Sequence, residues 1–339
     1  MPARRITPVL LALLMIALPA AAIETDQFYA WDRELPDSSA VLSAKVNVEM
    51  LAVLEQLNSG SSWSEQSCHD VANRIHRRFR LLIFHDLELW ANNSSLVSRV
   101  PATGEEELRY RDEYLYSNHG AFDPGSWMPP SPTIEVGGVR IGTDKLTHFF
   151  SEGWMEYKWY RDGIRQGRTP EEAKRAAIRR GIRLENSLLG TVVSGVLSLA
   201  DLEANHAGML FYLGLCDEDG PVLKKTDRGW ELTELFDFLR YVTPEWDESY
   251  QPSILTKGRW AKVYPVMLQY CPLLHSPQVV QQREAYAARD RVTATERLIA
   301  KLVEQGKLVD PATYGIEQVC AEAAVAAGEI QRESASPSD

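Results

Sequence analysis

Between Ser39 and Leu57 apolar side chains fall at Val41, Leu42, Val46, Val48, Leu51, Val53, Leu54 and Leu57. That spacing predicts an amphipathic helix, stopped by Asn58-Ser59-Gly60. A second helical region is predicted after the Ser61 to Ser64 cluster, reaching towards Trp90. From Glu105 to Pro132 the chain is too rich in proline and aromatic residues for a long helix. The period then drops to two: Ile134 and Val136, then Val139 and Ile141, flank Gly137-Gly138 and predict a β-hairpin over 133–141. Thr143 is the expected N-cap of the next helix, which should end at Gly163 or Gly167. Thr169-Pro170-Glu171-Glu172 opens another, with cap, first-turn proline and acids in place, running to about Leu189.

Residues 190 to 198 are small and apolar, and should form a buried connector before a helix from Leu199 to Cys216. Further helices are expected over Trp230 to Tyr241, Lys262 to Tyr270 and Gln278 to Gln305, with an aromatic loop over Pro244 to Pro252. The fold class is therefore mainly α, an irregular helical bundle with one small hairpin. Neither an internal repeat nor a Pro/Ser linker divides it, so 23–325 reads as one domain. The Ser-rich end, 326–339, reads as a disordered tail.

The first 22 residues form a separate unit. Arg4-Arg5, the apolar run from Ile6 to Leu18 and Ala20-Ala21-Ala22 follow the order of a secretory leader, and the run is too short to read as a membrane span. We therefore expect a periplasmic or secreted protein starting near Ile23, without a transmembrane span. The chain carries a formal charge of −11. Loss of Arg4 and Arg5 leaves 34 basic against 47 acidic groups, a net of −13. That balance argues against nucleic acid as a partner. The four cysteines, Cys68, Cys216, Cys271 and Cys320, contain no CxxC pair. In an oxidising compartment they allow two disulfides in any of three connectivities; four buried thiols are the alternative.

Candidate chemistry gathers in three places. Asp144, His148 and Glu152 recur every four residues, so an α-helix would align them along one stripe. Glu185-Asn186 and Asp201/Asn205 lie on the next two predicted helices, with Gly190, Gly195 and Gly208 permitting close approach. Helices joined by short connections pack as neighbours, so these groups can converge. Asp144, His148 and Asp201 would then hold one divalent ion (Mg²⁺, Mn²⁺, Ca²⁺ or a mixed-ligand Zn²⁺). His148, Glu185 and Asp144 are the candidate catalytic groups, with His148 or Glu185 as general base. Lys145, Glu152 and Asn205 are candidate binding residues.

A structural reading stands beside each of these. Asp144 and Asp201 can serve as first-turn helix acids, worth about 0.3–1 kcal/mol each. His148 can be a core histidine bonded to Asp144 or Asp201, and Asn205 can satisfy backbone of the glycine connector. His69, His76 and His85 mix helix faces and read as half-buried histidines rather than a metal site. Trp154, Tyr157 and Trp159 could stack on sugars but read as the core and rim of one helix. GxSxG, P-loop, GxGxxG and HExxH patterns are absent.

The run Asp144-Lys145-Leu146-Thr147-His148-Phe149-Phe150 resembles the short DKxxHFF signature of VanZ-like and related bacterial envelope proteins. The longer stretch from YLYSNHG to ADLEANHAGMLFY is similar to a family of exported bacterial proteins without assigned function. The resemblance implies an envelope setting, with Asp144, Lys145 and His148 as the matching positions. The VanZ-like part spans seven residues and lacks that group's membrane spans, so its topology and antibiotic-resistance role are not carried over. The expectation is a metal-assisted hydrolase acting on a cell-envelope lipid, glycan or peptide. The alternative is a non-catalytic binding or scaffold protein.

Overall fold

Gly137 and Gly138 adopt φ of +61° and +78°, the left-handed backbone that a two-residue hairpin needs. They let β1 (Thr133–Val136) fold back on β2 (Val139–Gly142), pairing Thr133 with Gly142 and Val136 with Val139. This computed structural model describes residues 24–80, 86–102, 104–117, 130–192, 194–289 and 291–335. The expected leader, His85 and the 118–129 part of the proline-rich connector lie outside them.

Among the described residues, three α-helices precede the hairpin besides the predicted α1 (Ser39–Asn58). The region after it is not one helix to Trp90 but α2 (Cys68–Phe79) and α3 (Asp86–Asn93), and a short α4 (Glu105–Glu113) follows. After the hairpin the chain runs through α5 (Asp144–Thr147), a π turn (His148–Glu152) and α6 (Gly153–Arg165). Thr143 does not cap: its φ and ψ are already helical and its Oγ1 is buried without a partner. Thr169 does cap α7 (Pro170–Leu184) in a reciprocal box with Glu172, a feature whose removal costs about 1 kcal/mol. A second π turn, Glu185–Leu189, completes that helix at the predicted end.

The connector is mixed rather than wholly buried: Val192 is 71% exposed, while Val196 and Leu197 form the buried β3 (Val196–Leu197). Next comes α8 (Leu199–Leu215), in which every residue from Leu199 to Met209 is buried. The segment expected to be a helix from Trp230 is instead a strand, β5 (Trp230–Leu232), paired with β4 (Leu223–Lys225) and followed by a 3₁₀ turn at Phe238–Arg240. Its aromatic positions fill the core around the π turn: Phe236 and Phe238 meet at 4.7 Å, and Phe149 lies 5.7 Å from Phe238 and 5.9 Å from Trp246. Strand β6 (Ile254–Leu255) pairs with β3 and leads to α9 (Lys257–Met267). The long last helix divides into α10 (Pro277–Ala287) and α11 (Ala294–Glu304). α12 (Ile316–Ala335) extends past the 326 boundary expected for a tail, and 336–339 lie outside the described residues.

The fold is thus mainly helical with short two-stranded antiparallel pairs. Of the three cysteine pairings open to the sequence, Cys68–Cys216 and Cys271–Cys320 are the ones formed. The first ties the start of α2 to the end of α8. Among the described residues, no helix is long and apolar enough to cross a membrane.

Candidate functional site

The site forms where the first π turn meets α8. A Cβ at Gly208 would lie 1.8 Å from the Phe149 carbonyl oxygen, and one at Gly153 2.6 Å from the Gly208 Cα. Only glycine allows the backbones so close. Within the π turn, Phe150 O accepts from Tyr212 Oη (2.9 Å) and from His76 Nδ1 (3.2 Å). Wide turns of this kind re-aim side chains and recur at functional sites. Here they carry His148 and Glu152 on the first and Glu185 on the second.

Ser198 Oγ caps α8 by accepting from the Asp201 N–H (3.1 Å), which fixes Asp201 in the first turn, facing α5. Lys145, with no exposed side-chain area, donates to Asp144 Oδ2 (2.7 Å) and Glu248 Oε1 and forms an ion pair with Asp201 Oδ1 (2.6 Å). Burial opposes its charge, but Asp144, Asp201 and Glu248 outweigh that and hold its pKa well above the usual lysine value. Thr25 Oγ1 donates to Asp144 Oδ1 (2.8 Å), in space kept open by Gly142.

His148 Nε2 lies 3.2 Å from Asp201 Oδ2. Burial works against the imidazolium, yet Asp201 and Glu152 prevail and raise its pKa to about 9. Asn205 meets the other ring nitrogen. With its oxygen towards Nδ1 (3.1 Å) it accepts from the imidazolium. With the amide turned over, it donates to Nδ1 of the neutral ring and to the carbonyls of His148 (3.2 Å) and Asp201 (3.1 Å). Asn205 therefore serves the first π turn and α8, not the glycine connector.

Two sets of possible ligands share Asp201. In Asp144/His148/Asp201, and again in Glu24/Glu185/Asp201, one donor atom from each residue lies within 4.8 Å of the others. Glu152 and Glu248 flank them. The six acids face two cations, Lys145 and His148. Oε2 of Glu24, of Glu152 and of Glu248 is buried without a hydrogen-bond partner. Such an excess of buried carboxyl oxygen is stable only if it takes up protons or a cation. Burial accordingly pushes Glu152 up to about 7, and burial together with Asp201 pushes Glu185 up to about 8. Burial also lifts Glu248 to about 8, against the pull of Lys145. Asp201 alone is held below the usual carboxylate range, because His148 and Lys145 overcome its burial.

None of these groups is more than 6% exposed. Thr25 and Glu248 also line a crevice of about 20 Å³ with Tyr116 and Ser253, room for about one water.

The predicted residues Asp144, Lys145, His148, Glu152, Glu185, Asp201 and Asn205 are thus brought together, while Asn186 is exposed and accepts from Thr191 Oγ1 (3.1 Å). Lys145 is the central counter-ion of the cluster, closed round by carboxylates. The sequence reading missed Glu24, Glu248 and Glu88. Glu24 sits in the arm after the expected leader and Glu248 in the aromatic loop, where acids look like solvent-facing residues. Glu88 accepts from Thr147 Oγ1 and Ser131 Oγ, and burial raises it to about 7. His69 and His76 both stack on Trp154, at 5.5 and 4.9 Å, the first half-buried and the second buried. No protein-family model, curated protein or solved structure matches this chain.

Proposed function

We propose that this is an exported, metal-dependent hydrolase acting on a cell-envelope lipid, glycan or peptide. The observation that carries the reading is the buried excess of six carboxyl groups over two cations, with unpartnered oxygens around Asp201. Asp144, His148 and Asp201 offer the mixed oxygen and nitrogen donors that Mn²⁺, Mg²⁺ or Zn²⁺ takes. These three residues would hold the ion in place of a proton on His148 Nε2, which lies 3.2 Å from Asp201 Oδ2. Such an ion would supply a Lewis acid for a phosphoryl or acyl oxygen. Glu185, whose pKa lies near neutrality, is placed to move the proton. Lys145 orients Asp144 and Asp201 and, with His148, helps keep Asp201 ionised. The two disulfides support export, since such bonds persist in oxidising compartments.

The near-complete burial of the cluster favours a second reading, a scaffold or binding protein whose polar network only locks helix packing. Metal analysis of purified protein, with thermal melts of His148→Ala and Asp201→Asn, separates the two. The enzyme reading expects stoichiometric metal in the wild type, lost in a still-folded His148→Ala variant, and chelator-sensitive hydrolysis of an aryl phosphate or ester. Absence of metal, with both variants losing stability, supports the scaffold.

A further inference from the structure

The other side of α8 carries a second acidic site that the proposed hydrolase does not use. Glu203 is 5% exposed and accepts from Thr293 Oγ1 at the start of α11. It opens on a cavity of about 450 Å³ between α8, the loop at Gln251 and Pro252, α11 and the turn at Asp310 to Ala312, within the size range of small-molecule sites. Thr295 lines the same cavity; it is 1% exposed, its Oγ1 lies close enough to Glu203 to lower the acid's pKa, and its geometry does not complete a hydrogen bond. Leu199, Ile299 and Val303 make the walls apolar, and no basic residue lines the cavity. The acids mark its ends. Glu296 is close enough to raise the Glu203 pKa, while Glu304, eight residues further along α11, and Asp310 also line the cavity. Eight helical residues span roughly 12 Å.

An apolar trough with a carboxylate at each end fits a ligand that is aliphatic in the middle and cationic at both ends. We propose that this cavity binds a linear aliphatic polyamine. One ammonium sits against Glu203 and Thr295, the other against Glu304 and Asp310, and the methylenes lie along Ile299 and Val303. An ammonium has three donors and no acceptor, so a carboxylate together with a lone hydroxyl oxygen suits it. Burial, opposed by the Thr293 hydrogen bond, pushes Glu203 up to about 8, as expected of an acid whose counter-ion is a ligand.

The test is calorimetric titration of the full mature chain with spermidine at low ionic strength. n-Octylamine, which has one charge, and Mg²⁺ serve as comparison probes. We expect one spermidine per chain, at least tenfold weaker octylamine binding, and no displacement by equimolar Mg²⁺. Glu203→Gln should weaken spermidine at least tenfold and Glu304→Gln about threefold. Ile299→Trp, which fills the trough, should abolish binding while the protein still melts cooperatively. His148→Ala should leave spermidine binding unchanged, so failure of the metal reading and failure of this one are distinguishable. The proposal is overturned if folded wild type does not bind spermidine, or if Glu203→Gln and Ile299→Trp both bind it as tightly as wild type. Stoichiometric Mg²⁺ binding that is lost with Glu203→Gln would also overturn it.

Discussion

Both sides of α8 are buried and acidic, but they are balanced differently. On the Asp201 side the chain supplies its own cations: Lys145 reaches three carboxylates and His148 a fourth contact. On the Glu203 side it supplies hydroxyls only, from Thr293 and Thr295, and burial lifts both Glu203 and neighbouring Glu156 to about 8. Asp201, held by His148 and Lys145, stays below the usual carboxylate range, and the rest of the fold depends on those pairs. An acid without a counter-ion sits neutral until a ligand arrives. The two sides should therefore respond very differently to substitution.

The largest effect is expected at Lys145. Lys145→Met leaves Asp144, Asp201 and Glu248 without their shared cation, and should cost about 3–5 kcal/mol in urea unfolding at pH 7. A loss below about 1 kcal/mol would mean that Lys145 does not hold these three carboxylates together. Gly208→Ala comes next, because its methyl group would collide with the Phe149 carbonyl and force α8 away from the π turn. About 1–3 kcal/mol, the usual range for overpacking, should be lost, together with any metal binding.

Protons give a third comparison. In metal-free protein Glu152, Glu185 and Glu248 bind protons more tightly folded than unfolded. Unfolding then releases protons, so stability is greatest below the unfolded carboxyl pKa and falls as pH rises from about 5 towards 8. The slope is about 1.4 kcal/mol per pH unit for each proton involved. His148 adds to the same trend, as its contribution is lost on rising through about 9. Asp201 acts oppositely, but at lower pH, where acid removes its stabilisation. Melting temperature in chelator should thus fall between pH 6 and pH 8, and Mn²⁺ should flatten the fall. A flat profile in chelator would contradict the acid excess. The smallest effect is expected on the other side. Glu203→Gln replaces an acid that is mostly neutral at pH 7 and should change stability by less than about 1 kcal/mol.

Much of this was readable in the chain. The hairpin, the Thr169 cap and the long apolar period of α8 depend on neighbours in sequence, so local pattern was enough. Asp144, His148, Glu185 and Asp201 were found because they sit on strongly patterned helices whose order implies contact. What stayed hidden depends on tertiary partners. The π turns change the rotation between His148 and Glu152 without altering composition. Trp230 to Leu232 became a strand because it pairs with Leu223 to Lys225. Glu24 and Glu248 come from irregular segments, where no periodicity reports which way a carboxylate points. Thr143 has the chemistry of a cap but a helical backbone, so its hydroxyl faces the core instead.

The most direct test of the acid excess as a cation centre is titration of metal-free protein with Mn²⁺ in two buffers of different ionisation enthalpy. The account predicts stoichiometric binding with release of at least one proton, tighter at pH 8 than at pH 6, and abolished in a folded His148→Ala, Asp201→Asn double variant. Absence of binding by folded wild type at pH 8, or binding that persists in the double variant, would contradict it.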